Sequence, residues 1–127
     1  MASKMVKIFL VDGNALFISS VRMFLDMWPA AALVGHSDKA HIALALCAEV
    51  QPDLVLVDVA NTSMDFAELV RKLKEQVGVP QVALLCMDST EEYVQQAREL
   101  GALGVISKSD FVLTLHHMVR ALVAEVN

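Results

Sequence analysis

Pro52-Asp53-Leu54-Val55-Leu56-Val57-Asp58 decides the fold. Its four consecutive branched apolar residues leave no polar face, so the segment reads as a strand covered on both sides, as in a parallel sheet sandwiched by helices. Pro52 stops any helix before it, and Asp58 ends the run on a carboxylate. Two further runs have the same form: KIFLVD ends at Asp12 and GVISK ends at Lys108. In open α/β sheets, ligands bind just outside the carboxyl ends of the strands. Two carboxylates and an ammonium are therefore expected to converge on one crevice, a set suited to phosphate and magnesium chemistry.

Outward from this strand, apolar runs alternate with helical patterns along the whole chain. After KIFLV, Asn14 offers a cap for a helix through Trp28, with Leu16, Val21, Phe24, Leu25 and Trp28 at helical spacing and Pro29 as its stop. Residues 31–36 suit a second strand, and Ser37 or Asp38 is the expected cap of a helix carrying Ile42, Leu44, Leu46 and Val50. Residues 59–64 read as a loop, Asp65 as the cap of a helix to about Val77, and Gly78 as its end. QVALLC is a fourth strand, Ser89 or Thr90 caps the next helix, and Gly101 sits where a helix-ending glycine belongs. LGVISK is the fifth strand, and Ser109 or Asp110 caps a last helix to about Val126. Five strands and five helices in alternation, joined by right-handed crossovers, predict an α/β, flavodoxin-like, doubly wound parallel sheet in the order 2-1-3-4-5 with helices on both faces.

At 127 residues the chain is expected to be one domain, 1–127. Its 56% hydrophobic content excludes disorder, yet no run approaches the roughly 18 to 20 apolar residues of a membrane span. MASKMVKIFL runs straight into Asp12 and reads as a first strand and not a signal peptide, so a cytoplasmic, non-membrane protein is expected. A net charge of -5 argues against nucleic-acid binding by this domain; Arg71, Lys72 and Lys74 cluster, but Glu68 and Glu75 are interleaved with them. Cys47 and Cys86 lie within apolar patterns and lack metal-site spacing, so buried reduced thiols are expected, although a cation near Cys86 would lower its pKa. His36, His41, His116 and His117 are scattered or adjacent, and adjacent helical residues do not share a face. No metal site is expected from them. The seven methionines read mainly as core filler, with Met64 a candidate partner contact.

From Lys7 to about Ala124 the chain resembles the receiver domain of two-component response regulators. The carriers are Asp12, the PDLVLVD segment ending at Asp58, Met64-Asp65 and Glu68-Leu69, the GA-x-G stretch from Gly101 to Gly104, and Lys108. The resemblance implies a signalling module and not an enzyme, one that at most assists its own phosphorylation and dephosphorylation. Asp58 would take a phosphoryl group from a histidine kinase or histidine phosphotransfer protein. Magnesium would be held by Asp12, Asp58 and the backbone carbonyl of Ala60, while Lys108 neutralises the phosphoryl oxygens. A downstream protein or output domain would read the change. A homodimer through the fourth helix, fifth strand and fifth helix is compatible with an apolar stripe of Val112, Leu115, Val119, Leu122 and Val126.

Several family positions are altered. Gly13 stands where a second acidic residue normally supplies a magnesium ligand, which weakens the metal site. Cys86 replaces a Ser or Thr whose hydroxyl donates to the phosphoryl group. Met87 replaces a small residue and is expected to crowd the approach; Val105 replaces the aromatic ring whose rotamer reports phosphorylation. Ser109 replaces a frequent proline and Asn61-Thr62 the usual Met-Pro. Two alternatives stay open: a pseudo-receiver that binds partners without phosphate, and a small flavodoxin-like nucleotide or FMN binder, for which DGNALF offers a poor phosphate loop.

Overall fold

The computed structural model describes residues 5–60 and 63–126. Asn61-Thr62, one of the family departures, and the side chain of Val126 lie outside the described features. Five parallel strands form one sheet in the order β2-β1-β3-β4-β5, as the alternation predicted. They are β1 (Val6–Val11), β2 (Ala31–Ser37), β3 (Leu54–Asp58), β4 (Gln81–Cys86) and β5 (Gly104–Ser107). The helices are α1 (Ala15–Asp26), α2 (Ala40–Val50), α3 (Phe66–Lys74), α4 (Glu91–Leu100) and α5 (Phe111–Val126). Every residue of β3 is buried, which is why it carries no alternation.

Strand parity divides the core in two. Ile8, Leu10, Leu54, Leu56, Leu85 and Ile106 face α1 and α5 and pack on Phe17, Val21, Leu25, Leu115 and Val119. Phe9, Val11, Val55, Val57 and Leu84 face the other side, against Ala43, Cys47, Leu69, Leu73 and Ala97. Each apolar strand residue thus meets a helix whichever way it points.

The helix ends follow the capping chemistry at some sites and depart from it at others. Asn14 Oδ1 accepts from Phe17 N at 3.0 Å and Thr90 Oγ1 from Tyr93 N at 3.3 Å. Gly101 closes α4 with φ of 72°. Neither Ser37 nor Asp38 caps α2: Lys39 holds the cap position without a side-chain bond. Ser37 Oγ is turned to Lys39 N at 3.1 Å, and Ser63 Oγ reaches across from the loop after β3 to accept from Ala40 N at 2.9 Å. Asp65 stands at the cap position of α3 without a side-chain bond. That helix ends at Lys74, short of the expected Val77, and Val77 and Val79 are exposed around Gly78. On α2 the fully buried residues are the small Ala40, Ala43 and Cys47, with Leu44, Leu46 and Val50 partly buried beside them and Ile42 exposed. A single 3₁₀ turn, Lys108–Asp110, precedes α5, which begins at Phe111, the residue directly after Asp110. Cys47 and Cys86 are free and buried.

Candidate functional site

Parity and register assemble the site. Asp12 follows Ile8 and Leu10 on one face of β1, Asp58 follows Leu54 and Leu56 on the same face of β3, and Lys108 follows Ile106 beyond β5. The ladders pair Val11 with Val57, Asp58 with Leu85, and Leu85 with Ile106. The three groups therefore emerge side by side at the carboxyl edge, on the face covered by α1 and α5.

Their contacts are direct. Lys108 Nζ lies 2.7 Å from Asp12 Oδ2 and 3.1 Å from Asp58 Oδ2. Asp12 and Asp58 are 1% and 2% exposed, so the ammonium bridges two carboxylates largely withdrawn from water. Asn14 N donates to Asp12 Oδ1 at 2.7 Å and Ala60 N to Asp58 Oδ1 at 3.0 Å. The Phe17 ring of α1 packs against the ammonium, with Nζ 4.8 Å from its centroid, and Phe111 meets Phe17 edge to face at 5.1 Å. Burial by itself would lower the Lys108 pKa, but pairing with Asp12 and Asp58 overcomes it and holds the ammonium above the usual lysine range. Phe17 carries no chemical motif, so the sequence pointed to it only as a helix residue near a cap.

The altered positions surround this cluster. The Cys86 thiol lies 3.8 Å from the Ile106 carbonyl. Burial raises its pKa, and Asp88, Asp58 and Asp110 raise it further against the opposing effect of Lys108. These effects oppose the activation that a neighbouring lysine would give. Met87 is 70% exposed, and its carbonyl accepts from Ser107 Oγ at 3.0 Å. Val105 is half-buried against the α2, α3 and α4 side of the core. Gly13 leaves open the space over which Asp38 lies, since a Cβ there would stand 3.1 Å from Asp38 Cβ. His116 stacks on Trp28, with centroids 4.7 Å apart, and meets His117 edge to face at 6.2 Å.

Magnesium suits this donor set. Two hard carboxylates share one edge with the Ala60 peptide beside them, and Mg²⁺ needs only one or two carboxylates because it keeps several waters. Among the described residues, no three His, Cys, Asp or Glu side chains form a ready-made metal cage. A flavin phosphate suits the edge poorly, since the loop after β1 presents the buried Asp12 carboxylate where a phosphate would sit. No helix among the described residues is long and apolar enough to cross a membrane.

Comparison with known proteins agrees with this geometry. Among curated proteins, the transcriptional regulatory protein YdfI of Bacillus subtilis (strain 168) is 24% identical over 117 residues, covering 92% of this chain and 54% of YdfI. The protein-glutamate methylesterase/protein-glutamine glutaminase 2 of Cereibacter sphaeroides is 30% identical over 103 residues, covering 80% of this chain and 28% of that protein. The chain thus spans about half the length of the first relative and less of the second. Among solved structures, a LuxR-family two-component response regulator from Aurantimonas sp. SI85-9A1 has a TM-score of 0.83 at 24% identity, covering 96% of this chain and 87% of that one. The non-phosphorylated receiver domain of the stress response regulator RcsB from Escherichia coli has a TM-score of 0.84 at 14% identity, covering 94% of this chain and 93% of that one. At these identities the structures speak to fold alone. The response regulator receiver domain family itself matches residues 8–120, from within β1 to within α5 and across all three groups of the crevice, and this chain belongs to it.

Proposed function

We propose that the chain is one receiver unit, residues 1–127, whose Asp58 accepts a phosphoryl group with magnesium assistance and thereby alters contacts with other proteins. The observation that carries this reading is the Lys108 ammonium lying between two buried carboxylates at adjacent strand ends. An Asp58 oxygen attacks the phosphorus of a phosphohistidine or a small acyl phosphate. The bond from phosphorus to the donor breaks, and the leaving group departs with its electron pair. Lys108, already 3.1 Å from Asp58 Oδ2, then follows the negative charge onto the phosphoryl oxygens. Asn14 N and Ala60 N hold the two carboxylates in place through their other oxygens, and Phe17 shields the ammonium from water. Asp12, Asp58 and the Ala60 carbonyl would hold a magnesium ion, which would supply positive charge against the incoming phosphoryl group.

The donor fitting this chemistry is a histidine kinase or histidine phosphotransfer protein. With Val105 in place of an aromatic ring, the readout runs through the β4–α4 connection, where Ser107 Oγ ties the Met87 carbonyl and Thr90 opens α4. Intact-mass measurement after incubation with acetyl phosphate and Mg²⁺ tests the proposal. One added phosphoryl group is expected in the wild type and none in Asp58→Asn; an unmodified wild type contradicts it.

A further inference from the structure

The ladders align more than two strand ends. Val11 pairs with Val57 of β3 on one side and with Ser37 of β2 on the other. The Asp12 amide extends that second ladder by donating to the Ser37 carbonyl at 3.1 Å. One step beyond each pair stand Asp58, Asp12 and Asp38. The edges of β3, β1 and β2 therefore each end on an aspartate one residue beyond the paired positions. The absent side chain at position 13 connects the last two. A Cβ on Gly13 would meet Asp38 Cβ at 3.1 Å and Asp38 Oδ2 at 3.5 Å, so Asp38 occupies space that a residue with a side chain would claim. Asp12, Gly13 and Asp38 together line a shallow recess of about 370 Å³ that also includes Ile18, His36 and Ser37.

From this arrangement we infer that Asp38 supplies, from the neighbouring strand end, the carboxylate that Gly13 lacks, and serves as a positioning residue for the divalent cation held by Asp12 and Asp58. The inference rests on the proposed cation site. Asp38 acts through metal-bound water: no three acidic side chains among the described residues are close enough to cage an ion directly, and Mg²⁺ retains waters whose protons need acceptors. Among the described residues Asp38 forms one ion pair, a long one at 4.0 Å to the exposed Lys39, so the carboxylate can turn toward those waters at small cost.

Binding of Mn²⁺, followed by the loss of the free-ion electron paramagnetic resonance signal, tests the inference on four proteins: wild type, Asp12→Asn, Asp38→Asn and Asp26→Asn. Asp26 is exposed at the far end of α1 and controls for the loss of one negative charge. Asp12→Asn is expected to abolish saturable binding, and Asp38→Asn to weaken it about five- to tenfold, as the loss of an outer-shell partner does. Asp26→Asn is expected to stay within about twofold, because a distant exposed charge is screened. If the wild type binds, Asp12→Asn does not, and Asp38→Asn matches Asp26→Asn, the role of Asp38 is overturned while the cation site stands. If the wild type shows no saturable binding, or Asp12→Asn binds equally well, the cation site fails and the role of Asp38 falls with it.

Discussion

At Lys108, burial and charge pull in opposite directions. The side chain is largely withdrawn from water, which disfavours an ammonium, yet the two facing carboxylates more than compensate. Replacing it removes the counter-charge and leaves Asp12 and Asp58 buried against each other. Lys108→Met is expected to destabilise the metal-free protein by about 3 kcal/mol in urea unfolding at pH 7, and Mg²⁺ should then stabilise the variant more than the wild type. The pH dependence follows from the raised pKa. The folded chain holds this proton more tightly than the unfolded chain, so the stabilisation is complete below the ordinary lysine value of about 10.4 and is lost as pH rises through the higher folded value. Urea midpoints of the wild type should fall above about pH 10.4 more steeply than those of Lys108→Met; parallel curves would mean the ammonium is not held this way. Burial also pushes the Cys47 thiol up to about 12 and raises Cys86. Iodoacetamide at pH 8 should label both thiols in urea and neither in the native chain.

Among the elements, β2 is where small size matters most. A Cβ on Gly35 would stand 2.8 Å from Cε2 of the buried Phe9 ring, on the neighbouring strand. Gly35→Ala must therefore displace a packed aromatic ring and is expected to lose about 2 kcal/mol by thermal or urea unfolding. At α4, Thr90→Ala removes a cap bond and should lose about 1 kcal/mol. The strands were legible from the sequence because each is an apolar run too short for a helix and closed by Pro, Gly or a charge. The helix starts were legible where the capping side chain bonds within its own helix, as at Asn14 and Thr90. They were not where the acceptor comes from elsewhere. Ser63 meets the first amide of α2 from a loop 23 residues away, and no local pattern announces such a contact. On α2, Leu44, Leu46 and Val50 pack against the core as the pattern suggested, and Ile42 alone of the four is exposed, beside the buried Ala43 and Cys47.

For the molecule as a whole, the sheet order converts distance along the chain into adjacency. Asp12, Asp58 and Lys108 are remote in sequence, yet alternation along β1, β3 and β5 aims all three at the same face, and that much followed from the apolar runs and their terminal residues. What surrounds them did not. Phe17 and Asp38 enter through helix packing and the register of the edge strand, neither of which a single sequence displays. The departures at Gly13, Cys86 and Val105 were readable as residue changes, but their effects needed the structure: a recess beside Asp38, a thiol turned to a carbonyl, and an aliphatic side chain where a ring would swing. The central claim is that Asp58 itself carries the phosphoryl group. Borohydride reduction of protein treated with acetyl phosphate, followed by peptide mapping, tests it directly, because hydride converts an aspartyl phosphate to homoserine and leaves free carboxylates untouched. Homoserine at position 58, dependent on Mg²⁺, is the expected result; its appearance at another aspartate, or nowhere, would contradict the account.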